Sequence, residues 1–176
     1  MRLALLSASA ALALAGCASL LPQTVPEANT EFKPSGEIVV HDRTVGFDAY
    51  RVRGVNCNVT KRTDGSWGGT FQDRAVDVSV SDTHIRGVEV LMTREESQKG
   101  HLVITGNFNS KMVRFEIDGD KVLVRTPVSS RTLSGRMTAG SVVKFGPFQE
   151  LELRGEAGVE SPPWPQIAFA LLSVFN

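Results

Sequence analysis

Apolar and polar residues alternate along much of this chain, and that period of two is its strongest constraint on folding. Val76, Val78 and Val80 alternate with Asp77 and Ser79. Successive side chains of a strand point to opposite faces, so each run presents one apolar and one largely polar face. This is the pattern of a half-buried antiparallel strand. The same pattern recurs at residues 88–92, 113–117 and 121–125.

Turn-forming pairs and further short strands accompany these runs. Asp64-Gly65 precedes Trp67, and Asp118-Gly119 separates two alternating segments; both pairs favour tight hairpin turns. Further strands are predicted at residues 38–41, 44–55, 102–105, 132–134, 141–145 and 151–154. Many short, closely spaced strands are typical of an all-β fold. The predicted fold is therefore an all-β antiparallel meander that forms a small barrel or a β-sandwich.

Short motifs of an apolar residue, a polar residue and a glycine recur in this region. They end at Gly54, Gly87, Gly135 and Gly155. Their intervals are irregular, so they do not mark a repeat. Glycine is common at bulges and strand ends, so we expect these positions where the chain bends and the sheet curves.

The N-terminus carries a targeting signal. Arg2 is followed by an apolar segment, residues 3–14, which is too short for a stable membrane-spanning helix. The segment closes with Leu14-Ala15-Gly16-Cys17. These residues resemble the lipobox of bacterial lipoproteins, in which lipoprotein signal peptidase cuts before an acylated cysteine. The resemblance covers residues 1–17 and implies a signal peptide at residues 1–16 and a lipidated Cys17.

The lipobox resemblance also implies a location. Two or three acyl chains anchor a protein firmly, whereas one chain alone binds only marginally. The chain is thus expected in the cell envelope, with the membrane as a partner through its N-terminal lipid anchor. Ala18 stands where the enteric retention signal has an aspartate, which implies the outer membrane if the host is Gram-negative.

The remainder of the chain divides into a linker and one domain. Pro22, Pro26 and Pro34 break regular structure, so residues 17–36 are predicted to be a flexible linker after the lipidated cysteine. Residues 37–176 then form a single β-rich domain. The chain has 19 basic and 19 acidic residues without large blocks of one sign. A nucleic-acid partner is not expected, because it would require a basic excess or stripe.

The cysteines predict a domain without an internal disulfide. The chain has two cysteines, and lipidation of Cys17 leaves only Cys57. Alternation places Cys57 on the same face as Val55 and Val59. We therefore expect a buried, inert thiol; the alternatives are a nucleophile or an intermolecular bridge.

No motif in the sequence predicts catalysis, a metal or a cofactor. A Gly-x-Ser-x-Gly elbow, a His-Glu-x-x-His pair, a phosphate-binding glycine loop and a Cys-x-x-Cys pair are all missing. The candidate ligand contacts are Trp67 and Phe71, which flank two glycines, and Arg114 and Arg125, which lie on either side of the Asp118-Gly119 turn. Core packing for the aromatic pair and surface ion pairing for the arginines are the alternatives.

The C-terminus differs from the rest of the domain. Residues 162–165 are a proline-rich spacer, and residues 166–176 are almost wholly apolar. This apolar segment is too short to span a bilayer. Because it is apolar on every side, it must be shielded from water on every side. A short buried helix and a strand both fit its composition. We expect it to complete the core, with contact to a partner or a membrane surface as the alternative.

The sequence therefore favours a lipid-anchored envelope protein that acts as a binding or accessory module, not an enzyme. A small ligand and an envelope protein are the candidate partners. The alternatives are a structural surface role without a ligand, and an envelope enzyme. A binding module requires a concave pocket with a few convergent polar groups. A structural role would instead show an exposed apolar patch or an open sheet edge.

Overall fold

The computed structural model describes residues 23–40, 42–95, 101–118, 121–126, 129–136, 142–145, 149–158 and 162–175. Within these ranges the chain forms one antiparallel sheet of fourteen strands and one α-helix. The strands are β1 (Gly36–Val40), β2 (Arg43–Phe47), β3 (Arg51–Gly54), β4 (Cys57–Lys61), β5 (Trp67–Phe71), β6 (Arg74–Val80), β7 (His84–Gly87), β8 (Val90–Arg94), β9 (His101–Phe108), β10 (Lys111–Asp118), β11 (Lys121–Thr126), β12 (Ser129–Arg136), β13 (Val142–Phe145) and β14 (Gln149–Gly155), and the helix is α1 (Trp164–Phe175).

The strands pair almost entirely with their neighbours in sequence. Strands β1 to β12 follow one another across the sheet, β14 pairs with β1, and β13 lies beyond β14. The predicted all-β antiparallel meander is therefore confirmed. The sheet is not closed into a barrel: among the described residues no ladder joins β12 to β13.

The sheet curls strongly although it remains open. The rings of Phe71 on β5 and Phe108 on β9 have centroids 4.6 Å apart and meet edge to face. In a flat sheet these strands would lie about 19 Å apart, because four interstrand spacings separate them. The inner faces of β5 and β9 therefore meet, and the concave side of the sheet encloses the core.

Helix α1 lies in this core, against β1 to β4. Its residues from Gln166 to Val174 are all buried. The ring of Phe169 lies 6.1 Å from that of Trp67, and the Arg43 guanidinium donates to the carbonyl of Val174 at 3.4 Å. The C-terminal segment is thus a helix, and the prediction that it completes the core is confirmed. No helix among the described residues is long and apolar enough to cross a membrane.

Two strand predictions were wrong in detail. Residues 44–55 form two strands, because Asp48 accepts backbone hydrogen bonds from Tyr50 and Arg51 at 2.8 Å each and turns the chain. Val88 was expected on the apolar face of a strand. It lies instead in the turn before β8, 90% exposed, where Glu89 has a φ of 59°.

Three of the four recurring glycine motifs end strands, as predicted, whereas Gly135 lies one residue before the end of β12. Gly54, Gly87 and Gly155 are the last residues of β3, β7 and β14. Gly155 requires glycine most clearly, because its φ of 57° lies in the left-handed region and a Cβ there would collide with the carbonyl of Ser35. Gly155 therefore lets the chain leave β14 without strain.

A segment that we call the N-terminal strap, residues 23–35, packs on the outside of β3. The Arg51 side chain is only 4% exposed and pairs with Asp48 at 2.6 Å. It also donates to the carbonyls of Ala28 and Thr30 and lies over the ring of Phe32. Part of the predicted linker is therefore held against the sheet, while the division of the chain at residue 36 stays a prediction.

Removal of a core side chain from α1 should destabilise the whole domain. Leu171 is fully buried, so Leu171→Ala should lower the free energy of unfolding by about 2–5 kcal/mol. The matched control is Leu91→Ala, because Leu91 is 49% exposed and its truncation should cost less than about 0.5 kcal/mol. Urea unfolding measures both, and equal losses would contradict a helix that fills the core.

Candidate functional site

The concave side of the sheet opens into a cavity at the N-terminal end of α1, which we call the mouth cavity. Its volume is about 420 Å³, within the range of small-molecule sites. The turns after β2, β4 and β6, the end of β8 and the start of α1 form its walls. Its lining residues are Ala49, Lys61, Gly65, Trp67, Val80, Ser81, Asp82, Arg94 and residues 162–166.

Strand alternation places two cations at the mouth cavity. Lys61 follows buried Val59 by two residues on β4, and Arg94 follows buried Met92 by two on β8. Both are the last residues of their strands, so their side chains lie on the core side at the rim. Lys61 is paired directly with Trp67 in the β4–β5 ladder. A charged group fits here only because the rim is partly open to water.

Both tryptophans of the chain lie at the mouth cavity. Trp67 begins β5 and Trp164 begins α1, and their side chains are 3% and 5% exposed. The Trp67 ring is supported from below by Phe169 at 6.1 Å. Beside Trp164, the Gln166 amide donates to the carbonyl of Asp48 at 3.3 Å, which fixes α1 to the turn after β2.

The ionisable groups of the mouth cavity are mainly positive. Lys61 and Arg94 face it from the ends of two strands, and Asp82 faces it from the turn after β6. The backbone N–H of Arg94 donates to the carbonyl of Thr83 at 2.8 Å, which ties the end of β8 to that turn. The cavity therefore combines a mainly polar surface, bordered by two nearly buried indoles, with a net positive rim.

The N-terminal strap enters the fold beside the mouth cavity. The backbone N–H of Val25 donates to the carbonyl of Lys61 at 3.3 Å, and that of Thr63 donates to the carbonyl of Gln23 at 2.8 Å. The strap thus runs along the end of β4 that supplies a cavity cation. Any group attached a few residues before Gln23 is tethered to this end of the sheet.

Of the four predicted ligand contacts, only Trp67 lines the mouth cavity. Phe71 lies at the other end of β5, where it packs on Phe108 and borders a smaller cavity of about 170 Å³. The glycines between them do not bare the aromatic rings for a ligand. Gly68 instead gives space to the Arg62 guanidinium, which crosses β5 and pairs with Asp77 on β6 at 2.7 Å.

Arg114 and Arg125 lie on the outer face, away from the mouth cavity. They stand directly opposite each other on β10 and β11. Arg114 pairs with Glu95 at 3.2 Å and with Glu116 at 3.3 Å, and His101 lies 3.3 Å from Glu116. Burial raises the pKa of Glu116, but hydrogen bonds from His101 and Arg114 outweigh it, so the net pKa is lowered. Ion pairing accounts for Arg114; for Arg125 the structure adds only its exposed position.

The sequence contained signals for the residues that were missed. Counting by two from Val59 and from Met92 reaches Lys61 and Arg94, so both were readable as core-facing cations. Trp164 was missed because it was assigned to the proline-rich spacer at residues 162–165, whereas Trp164 and Pro165 are the first residues of α1. The meeting of β4, β8 and α1 at one cavity depends on the curl of the sheet, which alternation alone does not give.

Cys57 has the environment of an inert thiol. It is 3% exposed on β4, and burial raises the pKa of its thiol to about 12, with a smaller opposing effect from a hydrogen bond to the backbone of Val59. The predicted burial is confirmed. Val55 is not beside it on a strand, however, because Val55 lies in the turn between β3 and β4 and is 80% exposed.

Alkylation tests the state of Cys57 in a Cys17→Ser chain, where it is the remaining cysteine. We expect the folded chain to react with iodoacetamide far more slowly than the urea-unfolded chain at the same pH, because a buried, protonated thiol is a poor nucleophile. Near-equal rates would show that the thiol is accessible and reactive.

Four exposed apolar side chains of the described residues lie toward the other end of the sheet, spread over the strands from β3 to β10, and we call them the distal patch. Val55 and Val88 lie in the turns after β3 and β7, and they are 80% and 90% exposed. Leu91 and Met112 flank Asn107 on the outer face, through the β8–β9 and β9–β10 ladders. In the described part of the chain, the mouth cavity thus lies near the strap and the distal patch lies away from it.

Within the described ranges, no three His, Cys, Asp or Glu side chains form a group that could hold a metal ion. Cys17, the predicted lipidation site, lies outside those ranges. No family model, curated protein or solved structure matches this chain. Its function must therefore be argued from the sequence and from the mouth cavity.

Proposed function

We propose that this chain is a lipid-anchored lipoprotein of the cell envelope that acts as a binding module, with its ligand in the mouth cavity. The observation that carries this proposal is the cavity itself. It is concave, of ligand size, walled by Trp67 and Trp164 and edged by Lys61, Arg94 and Asp82. The surface of the cavity is mainly polar, and charged groups that converge beside two nearly buried indoles are the feature that supports a binding site.

The rim cations favour binding over a purely structural role. A charge that faces the inside of a sheet gains nothing in packing over an apolar side chain. Lys61 and Arg94 nevertheless occupy core-facing positions, at the ends of their strands, where both stay partly exposed. A ligand of opposite charge gives both residues a role. No catalytic step, metal or cofactor is proposed.

The anchor rests on the lipobox and fits the position of the strap. Cys17 precedes Gln23 by six residues, which span at most about 21 Å when fully extended. The backbone of Gln23 is hydrogen-bonded to that of Thr63 at the mouth-cavity end of the sheet. Lipidation of Cys17 therefore keeps the mouth cavity close to the membrane. In a Gram-negative host, Ala18 directs the proposed location to the outer membrane.

A second candidate function is assembly with an envelope protein through the distal patch. Leu91 and Met112 lie on the outer face one strand to either side of Asn107, and adjoining exposed apolar side chains are a feature of contact surfaces. This role would use the opposite end of the sheet and is compatible with a ligand in the mouth cavity.

The anchor is tested by Cys17→Ser. We expect the variant to lose metabolic labelling with a radioactive fatty acid and to accumulate as uncleaved or soluble precursor, because the acylated thiol is gone. Membrane fractionation and labelling measure this. A variant that remains in the membrane like the parent would contradict the anchor assignment.

The cavity is tested with an uncharged aromatic probe, N-phenylnaphthylamine, which becomes fluorescent in apolar sites. Both tryptophans border the cavity, so a bound probe should accept excitation energy from them. Ala49 is an exposed lining residue, and Ala49→Phe should fill the cavity and remove most of this signal. Val55→Phe adds the same ring at the other end of β3 and should leave the signal unchanged. Equal signals in both variants would place the probe elsewhere.

A further inference from the structure

We infer that the mouth cavity takes a phosphate group of an anionic phospholipid headgroup at the surface of the membrane that holds the protein. This inference rests on the proposed lipid anchor and on the cavity as the binding site. It adds the chemical class of the ligand. Three independent features of the described residues carry it: the charge of the rim, the two indoles that border the cavity, and the end of the sheet at which the strap is held.

The charge of the rim selects an anion. Lys61 and Arg94 end their strands on the core side and face the cavity from β4 and β8, while Asp82 is the acidic residue among its described lining residues. The neighbouring Arg62 does not add to this pair, because it crosses β5 to Asp77. An ammonium and a guanidinium that face one space are the usual partners of a phosphate.

The indoles at the border of the cavity suit a ligand with a large charged part and a small apolar part. Trp67 and Trp164 are almost fully buried, yet both border the cavity beside the cations. Indole rings are enriched at membrane interfaces, where one side is apolar and the other is wet. A phospholipid offers this combination: its phosphate would meet Lys61 and Arg94, and its glycerol and first methylenes would meet the indoles.

The strap supplies the placement. The backbone of Val25 is hydrogen-bonded to that of Lys61. Gln23, the first residue of the strap, is hydrogen-bonded to Thr63 in the turn that follows β4. With Cys17 in the bilayer, the rim lies within reach of the headgroup layer, since the intervening residues span at most about 21 Å. The distal patch lies at the other end of the strands. Headgroups are thus the anions that the anchored protein meets at its rim.

The experiment uses the lipidated full chain in vesicles of phosphatidylcholine, so that the anchor is constant. Phosphatidylglycerol with brominated acyl chains is then added, because bromine quenches nearby tryptophans and both tryptophans border the cavity. Brominated phosphatidylcholine at the same mole fraction gives the background. The test variant is Lys61→Gln with Arg94→Gln. The matched control is Arg86→Gln with Lys111→Gln, which removes the same charge from two exposed residues on β7 and β10.

We expect brominated phosphatidylglycerol to quench more strongly than brominated phosphatidylcholine in the parent and in the control variant. In the Lys61/Arg94 variant the apparent affinity should fall about tenfold or more, because charge-assisted hydrogen bonds are lost. Equal quenching by the two lipids in the parent would overturn the inference. So would unchanged phosphatidylglycerol quenching in the Lys61/Arg94 variant whose circular dichroism matches the parent.

Free glycerol phosphate distinguishes a phosphate that belongs to a membrane lipid from a phosphate ester in solution. Relief of the quenching by glycerol phosphate supports a site for the phosphate that a lipid headgroup normally fills. Binding of glycerol phosphate that depends on Lys61 and Arg94, with no response to phosphatidylglycerol, would overturn the membrane source. Failure of the anchor is recognised separately, by the absence of fatty-acid labelling at Cys17, and failure of the cavity by an unchanged N-phenylnaphthylamine signal in Ala49→Phe.

Discussion

The burial of α1 inside the sheet is the interaction on which the rest of this structure depends. The helix is apolar on nearly every side and offers no polar face to water, so it is stable only when it is enclosed. A flat sheet covers one side of a helix. The curl that brings β5 to β9 lets the sheet cover more of it, and the contacts of α1 with β1 to β4 complete the enclosure. Sheet curvature and helix burial therefore stabilise each other.

The same packing creates the mouth cavity. The helix begins at Trp164 beside the ends of β4 and β8, and Gln166 ties it to the turn after β2. The space between the helix and the strand ends lies at the boundary between the core and water. The core-facing positions at this boundary are Lys61 and Arg94. The proposed binding site is thus the rim of the core. Arg51 holds the strap on the neighbouring outer face, so that the chain toward Cys17 leaves from this rim.

Local rules predicted the strands well because a meander pairs neighbours. Alternation around Val76 to Val80 and around Val113 to Ile117 gives β6 and β10, and glycines such as Gly87 end strands where expected. The division of residues 44–55 was missed because an Asp48 side chain, with no glycine or proline, makes the turn. The candidate site was only partly predictable. Trp67 was a candidate because two glycines follow it, but its neighbours Arg94 and Trp164 are brought to it by long-range packing.

Native-state hydrogen exchange of α1 tests the central claim, that the sheet is folded around this helix, most directly. If the claim is correct, the amides of residues 168–174 exchange only through global unfolding, with opening free energies equal to those of the slowest amides of β1 to β4. Exchange of the α1 amides through a local opening of much lower free energy, while the strands stay protected, would contradict it. The helix would then be a detachable cover on a sheet that stands without it.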